Sequence, residues 1–200
     1  MRRTHPFTTS GQTIGLLGGS FDPPHSGHVH ITRQALRRFR LDRVWWVVSP
    51  GNPLKSDGPA DFERRLAVCR QMVNHPKVHV SDIEKRLGTR FTADTLSELT
   101  SRYRKVRFVW LMGADNLVQF HQWENWRSII DTVPLGVLAR PGEVVQAGLS
   151  PAARAYAQYR IPAGQSGVLA HHQAPCWSMV TGPTVDISST EIRDRGDWVR

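Results

Sequence analysis

Five apolar runs recur along the chain, most of them stopped by glycine or proline. Thr13 to Leu17 runs into Gly18-Gly19, and Val44 to Val48 ends at Ser49-Pro50-Gly51. Val78 to Val80 is a weaker third run. Val106 to Met112 ends at Gly113, and Val133 to Ala139 ends at Arg140-Pro141-Gly142. Continuous apolar stretches of this length predict strands buried on both faces. Between them the period changes. Ile31, Ala35 and Phe39 recur at helical spacing, as do Phe62, Leu66, Cys69 and Val73 behind Asp61 as a cap. Thr92 is placed to cap a helix carrying Leu96, Leu99 and Tyr103, and residues 116–130 read as one aromatic-rich helix. Residues 142–174 show little period beyond a short helix expected within 151–160, and no role is derived for them. Strands alternating with helices predict an α/β fold, a doubly wound parallel sheet with helices on both faces and a small C-terminal helical part. In such sheets ligands bind beyond the carboxyl ends of the strands.

Composition narrows the partners. A length of 200 residues, with 40% hydrophobic and 22% charged positions, suits one folded domain and argues against a disordered chain. No apolar run is long enough for a membrane span, and no apolar stretch follows Arg2 and Arg3 to make a secretory signal. Residues 1–12 are expected to form a flexible tail, and residues 13–200 the domain. Cys69 and Cys176 are expected to be reduced thiols in a cytoplasmic protein. The net charge of +9 favours anionic partners without choosing among nucleic acid, acidic surfaces and phosphorylated metabolites. The basic residues are scattered, and a solvated charged surface accounts for most of them.

The candidate chemistry lies just after the first strand. Gly18-Gly19-Ser20-Phe21-Asp22-Pro23-Pro24-His25-Ser26-Gly27-His28 joins a strand to a helix. Glycines allow a sharp turn, prolines stiffen the loop, and the free N–H groups of the helix start make an anion site. His25 and His28, three apart, can face one bound group. The sequence has no dinucleotide-binding glycine fingerprint, no P-loop and no nucleophile elbow. Only Asp22 accompanies the histidines, so no metal site is expected. Near the other end, Ile187-Ser188-Ser189-Thr190-Glu191-Ile192-Arg193 offers three hydroxyls and a guanidinium at a second helix start. Alone, such a run is an ordinary cap; beside phosphate it would supply hydroxyls, amides and a planar, always-charged fork.

Together the two segments match the paired signature of adenylyl- and cytidylyltransferases related to class I aminoacyl-tRNA synthetases. Arg90 to Leu96, Gly113-Ala114-Asp115 with Trp123 eight residues on, and Arg140-Pro141-Gly142 narrow the likeness. The chain resembles bacterial nicotinate-mononucleotide adenylyltransferases from about Ile14 to Arg193, residues 142–186 only loosely included. The resemblance implies a Rossmann-like nucleotidyltransferase fold. It implies that His25 and His28 contact phosphate, with His28 on the reacting α-phosphate. It puts backbone groups of Gly19, Ser20 and Phe21 in the nucleotide site and Asp115 near the ATP ribose. Ser188, Ser189, Thr190 and Arg193 would hold the departing pyrophosphate, with Arg193 counted as catalytic. Trp123 would stack on the pyridine ring, Thr92 and the backbone near Glu124 would receive its carboxylate, and Lys55 would meet a substrate phosphate.

The implied reaction is adenylyl transfer from ATP to nicotinate mononucleotide in NAD synthesis, with Mg²⁺ riding on the ATP phosphates. No membrane and no obligatory nucleic acid partner are implied. Other superfamily members, taking nicotinamide mononucleotide or phosphopantetheine, are the near alternatives, and a non-catalytic nucleotide- or RNA-binding module is the distant one. Two departures stand out. Phe91 replaces the tyrosine usual in the family, and only seven residues follow Arg193, which leaves the support of its helix in question.

Overall fold

The structure, a computed structural model, describes residue 6 and residues 8–51, 58–140, 142–183 and 187–199. Its centre is β1 (Thr13–Gly19), which pairs in parallel with β2 (Arg43–Val48) on one side and β4 (Arg107–Gly113) on the other. β3 (Val78–Ser81) extends the sheet beyond β2, and β5 (Leu135–Ala139) extends it beyond β4. With β6 (Arg160–Ile161) and β7 (Trp177–Thr181) the order is β3-β2-β1-β4-β5-β7-β6, and every described pairing is parallel. The order of the strands reverses between β1 and β4, so the chain leaves their carboxyl ends toward opposite faces and opens a crevice there.

Period-2 alternation sends neighbouring side chains to opposite faces. Trp45 and Trp46 are both buried, one in each of the two core clusters. On one face, α1 (Ser26–Arg38) and α2 (Phe62–Met72) cover Leu17, Trp46 and Leu111. On the other, α3 (Ile83–Leu87), α4 (Thr92–Arg102), α5 (Ala114–Gln119) and α6 (Trp126–Thr132) cover Leu16, Trp45 and Trp110. Farther along, α7 (Val144–Gly148) and α8 (Pro151–Ala155) join that second face, and α9 (Ser189–Asp194) returns to the loop after β1. At the start of the chain, the Gly11 N–H donates to the Lys105 carbonyl and the Tyr103 hydroxyl to the Pro6 carbonyl.

The five expected strands and the doubly wound order are present, and Asp61 caps α2 through the Arg64 N–H. Three expectations need correcting. Thr92 is the first residue of α4 and not its cap; that position belongs to Phe91, which makes no side-chain capping bond. Residues 116–130 are not one helix. Trp123 is extended and Asn125 is left-handed at φ 52°, which separates α5 and a short 3-10 turn from α6. The break lets Trp123 and Trp126 each meet Phe120 edge-on, at 5.4 and 5.8 Å between ring centres. The C-terminal part also adds β6 and β7 to the sheet. β7 is short, and the buried Ser178 interrupts its apolar run.

Gly18 lies directly under the Trp110 indole: a Cβ at that position would sit 2.2 Å from Trp110 Cη2. Gly18→Ala is therefore expected to lower stability by ~1–3 kcal/mol through overpacking. Gly164→Ala, where a Cβ meets nothing within 4 Å, is expected to stay within about 0.5 kcal/mol of the parent. Urea unfolding midpoints of the two variants check this.

Candidate active site

The loop from β1 to α1 is closed by two imidazoles. His25 is the N-cap of α1, and its Nδ1 accepts the Gly27 N–H at 3.1 Å. His28, three residues on, accepts the His25 N–H at its own Nδ1, also at 3.1 Å. This is a reciprocal capping box with histidine in both places. It accounts for the spacing: the N-cap ring takes a donor of the first turn, and the ring three residues on reaches back to the N-cap N–H. Gly27 is part of the device, because a Cβ there would lie 2.8 Å from the His25 ring. With both Nδ1 atoms accepting, we assign the proton of each neutral ring to Nε2, leaving two N–H donors at the helix start.

Both rings are neutral near pH 7. Burial, and then the nearby Arg140 charge, lowers the His25 pKa from 6.5 to about 4. Burial, and then His25 itself, lowers the His28 pKa to about 3. The pair therefore offers dipolar donors in place of cations. A buried shelf holds the second ring. Phe21, left-handed at φ 48°, stacks on Trp46 at 4.9 Å and meets His28 at 4.8 Å. Trp46 donates its indole N–H to Thr32 Oγ1 at 2.7 Å, and Thr32 donates to the His28 carbonyl at 2.8 Å.

The second segment is brought against this loop. Ser188 caps α9 through the Glu191 N–H at 3.1 Å, and Glu191 answers with a bond from the Ser188 N–H at 2.7 Å. Ser189 donates its hydroxyl to the Pro23 carbonyl at 2.9 Å. Arg193 donates to the Asp22 carbonyl and, at 3.0 Å, to Thr190 Oγ1. Asp22 is almost fully buried and receives the Ala60 N–H at 3.2 Å and the Trp198 indole N–H at 2.7 Å on the same carboxylate oxygen. The segment after Arg193 thus anchors α9 through Trp198.

A cleft of about 600 Å³, including the solvent at its mouth, lies beside the start of α1. Its walls are His25, Gly27, His30, Ile31 and Gln34 on one side, and Gly113, Asp115 and Arg140 with the ends of β5 and β7 on the other. Asp115 is exposed at the first turn of α5. Gly113 makes its position possible, since a Cβ there would meet Asp115 Oδ1 at 2.3 Å. Gly19 and Ser20 lead from β1 into the same crevice. The structure therefore gathers His25, His28, Asp115 and the Ser188–Arg193 segment around the start of α1. Thr92 and Trp123 lie on the other face of the sheet, at the rim of the second core cluster. Trp123 is half-buried, edge-on to Trp110 and Phe120, and Glu124 is exposed. Lys55 lies outside the described residues.

Two positions escape a motif reading. Arg65 is 1% exposed. Its guanidinium donates to the carbonyls of Ser20, Ser49 (2.8 Å), Pro50 (3.2 Å) and Ala60 (2.7 Å). It ties the carboxyl ends of β1 and β2 together, and the nearby Asp22 charge offsets the loss of solvent. Trp198 is the other. A heptad or helix pattern cannot show either role, because each acts on a distant loop. Arg140, noted in the sequence only as part of Arg140-Pro141-Gly142, proves to be a wall of the cleft.

A parallel sheet with this crevice, entered by a histidine-capped helix and closed by a second capped helix, defines a nucleotidyltransferase class. The chain belongs to the cytidylyltransferase-like family, whose pattern matches residues 16–195. It is 60% identical over 198 residues to the probable nicotinate-nucleotide adenylyltransferase of Ruegeria pomeroyi, covering 99% of this chain and 93% of that one. It is 55% identical over 199 residues to the protein of the same name from Roseobacter denitrificans, covering 100% of both. The fold is shared with nicotinic acid mononucleotide adenylyltransferase of Plasmodium falciparum, solved with NaAD. That likeness has a TM-score of 0.67 at 18% identity, over 92% of this chain and 83% of that one. Among the described residues no helix is long and apolar enough to cross a membrane.

The neutral histidines set a pH dependence of stability. Above the unfolded pKa of 6.5 their contribution is fully present. As pH falls below 6.5 the unfolded chain binds protons that the folded rings refuse, and stability is lost down to about pH 4 for His25 and about pH 3 for His28. Glu84 acts oppositely: burial raises its carboxyl from 4.5 to about 7, so acidification relieves its penalty over that range. The difference between parent and variant isolates the imidazole. His28→Gln, which can keep the capping bond, is expected to lose less stability than the parent between pH 7 and pH 4.5. Urea midpoints at the two pH values measure it.

Proposed function

We propose that this chain transfers the adenylyl group of ATP to nicotinate mononucleotide, forming nicotinate adenine dinucleotide and pyrophosphate for NAD synthesis in the cytoplasm. The observation that carries the reading is the cap made by His25 and His28, whose Nδ1 atoms both accept backbone N–H groups at the positive end of a helix, beside a cleft that His25 lines. The names of the relatives support the choice of acceptor.

In this reading an oxygen of the mononucleotide phosphate attacks the α-phosphorus of ATP, a new P–O bond forms, and the bond to the pyrophosphate oxygen breaks in line. The attacking phosphate is already anionic, so no general base is required. The protein contributes position and neutralisation of charge. His28, with His25 beside it, donates to the α-phosphate oxygens as charge builds on them. Backbone groups of Gly19, Ser20 and Phe21 line the nucleotide, Asp115 receives the ribose hydroxyls, and Arg140 adds positive charge to the wall. Ser188, Ser189, Thr190 and Arg193 hold the pyrophosphate. The Ser188 hydroxyl accepts the Glu191 N–H and can still donate its own hydrogen, whereas Ser189 donates to the Pro23 carbonyl and would donate to phosphate only by releasing it. On the other face Trp123 stacks on the pyridine ring, Thr92 and the backbone near Glu124 receive its carboxylate, and Lys55 meets a substrate phosphate.

Mg²⁺ would enter as the complex with ATP, bound by phosphate oxygens and water. Among the described residues no group of three or more His, Cys, Asp or Glu is arranged to hold a metal.

The test is pyrophosphate release from ATP and Mg²⁺ with nicotinate mononucleotide, nicotinamide mononucleotide or phosphopantetheine as acceptor. Release with the first in clear preference is expected. Release with phosphopantetheine alone would move the chain to another adenylyltransferase, and RNA affinity without turnover would replace the enzyme by a binding module. His28→Ala is expected to lower kcat about a hundredfold, the worth of one preorganised donor, with a much smaller change in ATP affinity. Gly27→Ala, which forces the His25 ring from its cap, is expected to lower kcat more than tenfold while the chain stays folded. Near-normal turnover in either variant would remove the histidines from the chemistry.

A further inference from the structure

On the reading that Arg193 holds pyrophosphate, we infer that Trp198 is a positioning residue that keeps the Arg193 guanidinium available to its anion. The buried Asp22 carboxylate sits beside Arg193, and an unhindered pair would close to a direct bond of about 2.8 Å. It does not. Asp22 Oδ2 stands 4.0 Å from Arg193 Nη1, while Oδ1 is drawn away by the Trp198 indole N–H at 2.7 Å and the Ala60 N–H at 3.2 Å. Arg193 instead meets the backbone carbonyl of Asp22 and the hydroxyl of Thr190. The carboxylate is thus held by neutral donors as well, and its ion pair with Arg193 stays long instead of closing to a direct hydrogen bond. The indole is itself fixed: the Arg64 guanidinium lies 3.9 Å over its ring and donates to the Val199 carbonyl.

Trp198→Phe retains the ring and its stacking with Arg64 but removes the N–H. The carboxylate then turns toward Arg193 and competes with the anion. Affinity for inorganic pyrophosphate, measured by calorimetry without acceptor, is expected to fall at least about tenfold, as for the loss of one hydrogen bond to a charged group. Kcat for adenylyl transfer is expected to fall by a similar factor with the KM for the mononucleotide unchanged, while the unfolding midpoint drops modestly through loss of the bond to the buried carboxylate. In an Asp22→Asn background the same substitution is expected to change pyrophosphate affinity less than twofold, because the competing charge is gone; the double-mutant cycle separates this from simple loss of packing. Equal pyrophosphate affinity in parent and Trp198→Phe overturns the inference, as does an undiminished effect in the Asp22→Asn background. A parent that binds no pyrophosphate overturns it as well. A parent that binds pyrophosphate but transfers no adenylyl group refutes the proposed reaction and leaves the pyrophosphate comparison decisive for Trp198.

Discussion

The first turn of α1 must satisfy its own unpaired N–H groups while still presenting donors outward, and two imidazoles meet both demands. Each ring uses Nδ1 to accept a backbone bond, so the cap does not use Nε2. A serine or aspartate cap would satisfy the helix but supply no second ring donor. The surrounding residues follow from this choice. Gly27 makes room for the His25 ring, Phe21 and Trp46 form the shelf under His28, and Thr32 bonds the His28 carbonyl. Burial keeps both rings neutral, and Arg140 on the cleft wall adds to the effect at His25.

That turn is useful only if the loop ahead of it is held in place. Arg65 does so from beneath by collecting carbonyls from the ends of β1 and β2 and from Ala60. Burying a guanidinium is costly when its donors are unmet. Here four carbonyls meet them, and Asp22 offsets the charge. Around this centre the sheet divides the work: the cleft lies against α1, while Thr92 and Trp123 stand at the rim of the α4–α6 core. The reversal of strand order between β1 and β4 lets both faces open at one edge.

The sequence made the local features legible. The runs ending at Gly19, Val48 and Gly113 announced the central strands, and the two histidines with their glycine marked the helix start, because each depends on neighbours within a few residues. Features that depend on distant partners were not readable. Arg65 looks like any surface arginine of an amphipathic helix until its carbonyls are seen. Trp198 has no pattern around it. Ser178 disguised β7 by breaking its apolar run, and the helix expected over 116–130 gave way because Phe120 receives two indoles, which a continuous turn does not allow. Phe91 took the capping place expected of Thr92 with no polar side chain to signal it.

The bond between Asp22 and Trp198 joins residues 176 positions apart. During synthesis at about 5–20 residues per second, roughly 10 to 35 s pass between the appearance of the first partner and the second. Over that interval the nascent chain can assemble β1 to β5 beside the ribosome while Asp22 lacks its indole partner. The anchored form of α9 thus comes later in the life of each molecule than the strands that precede it.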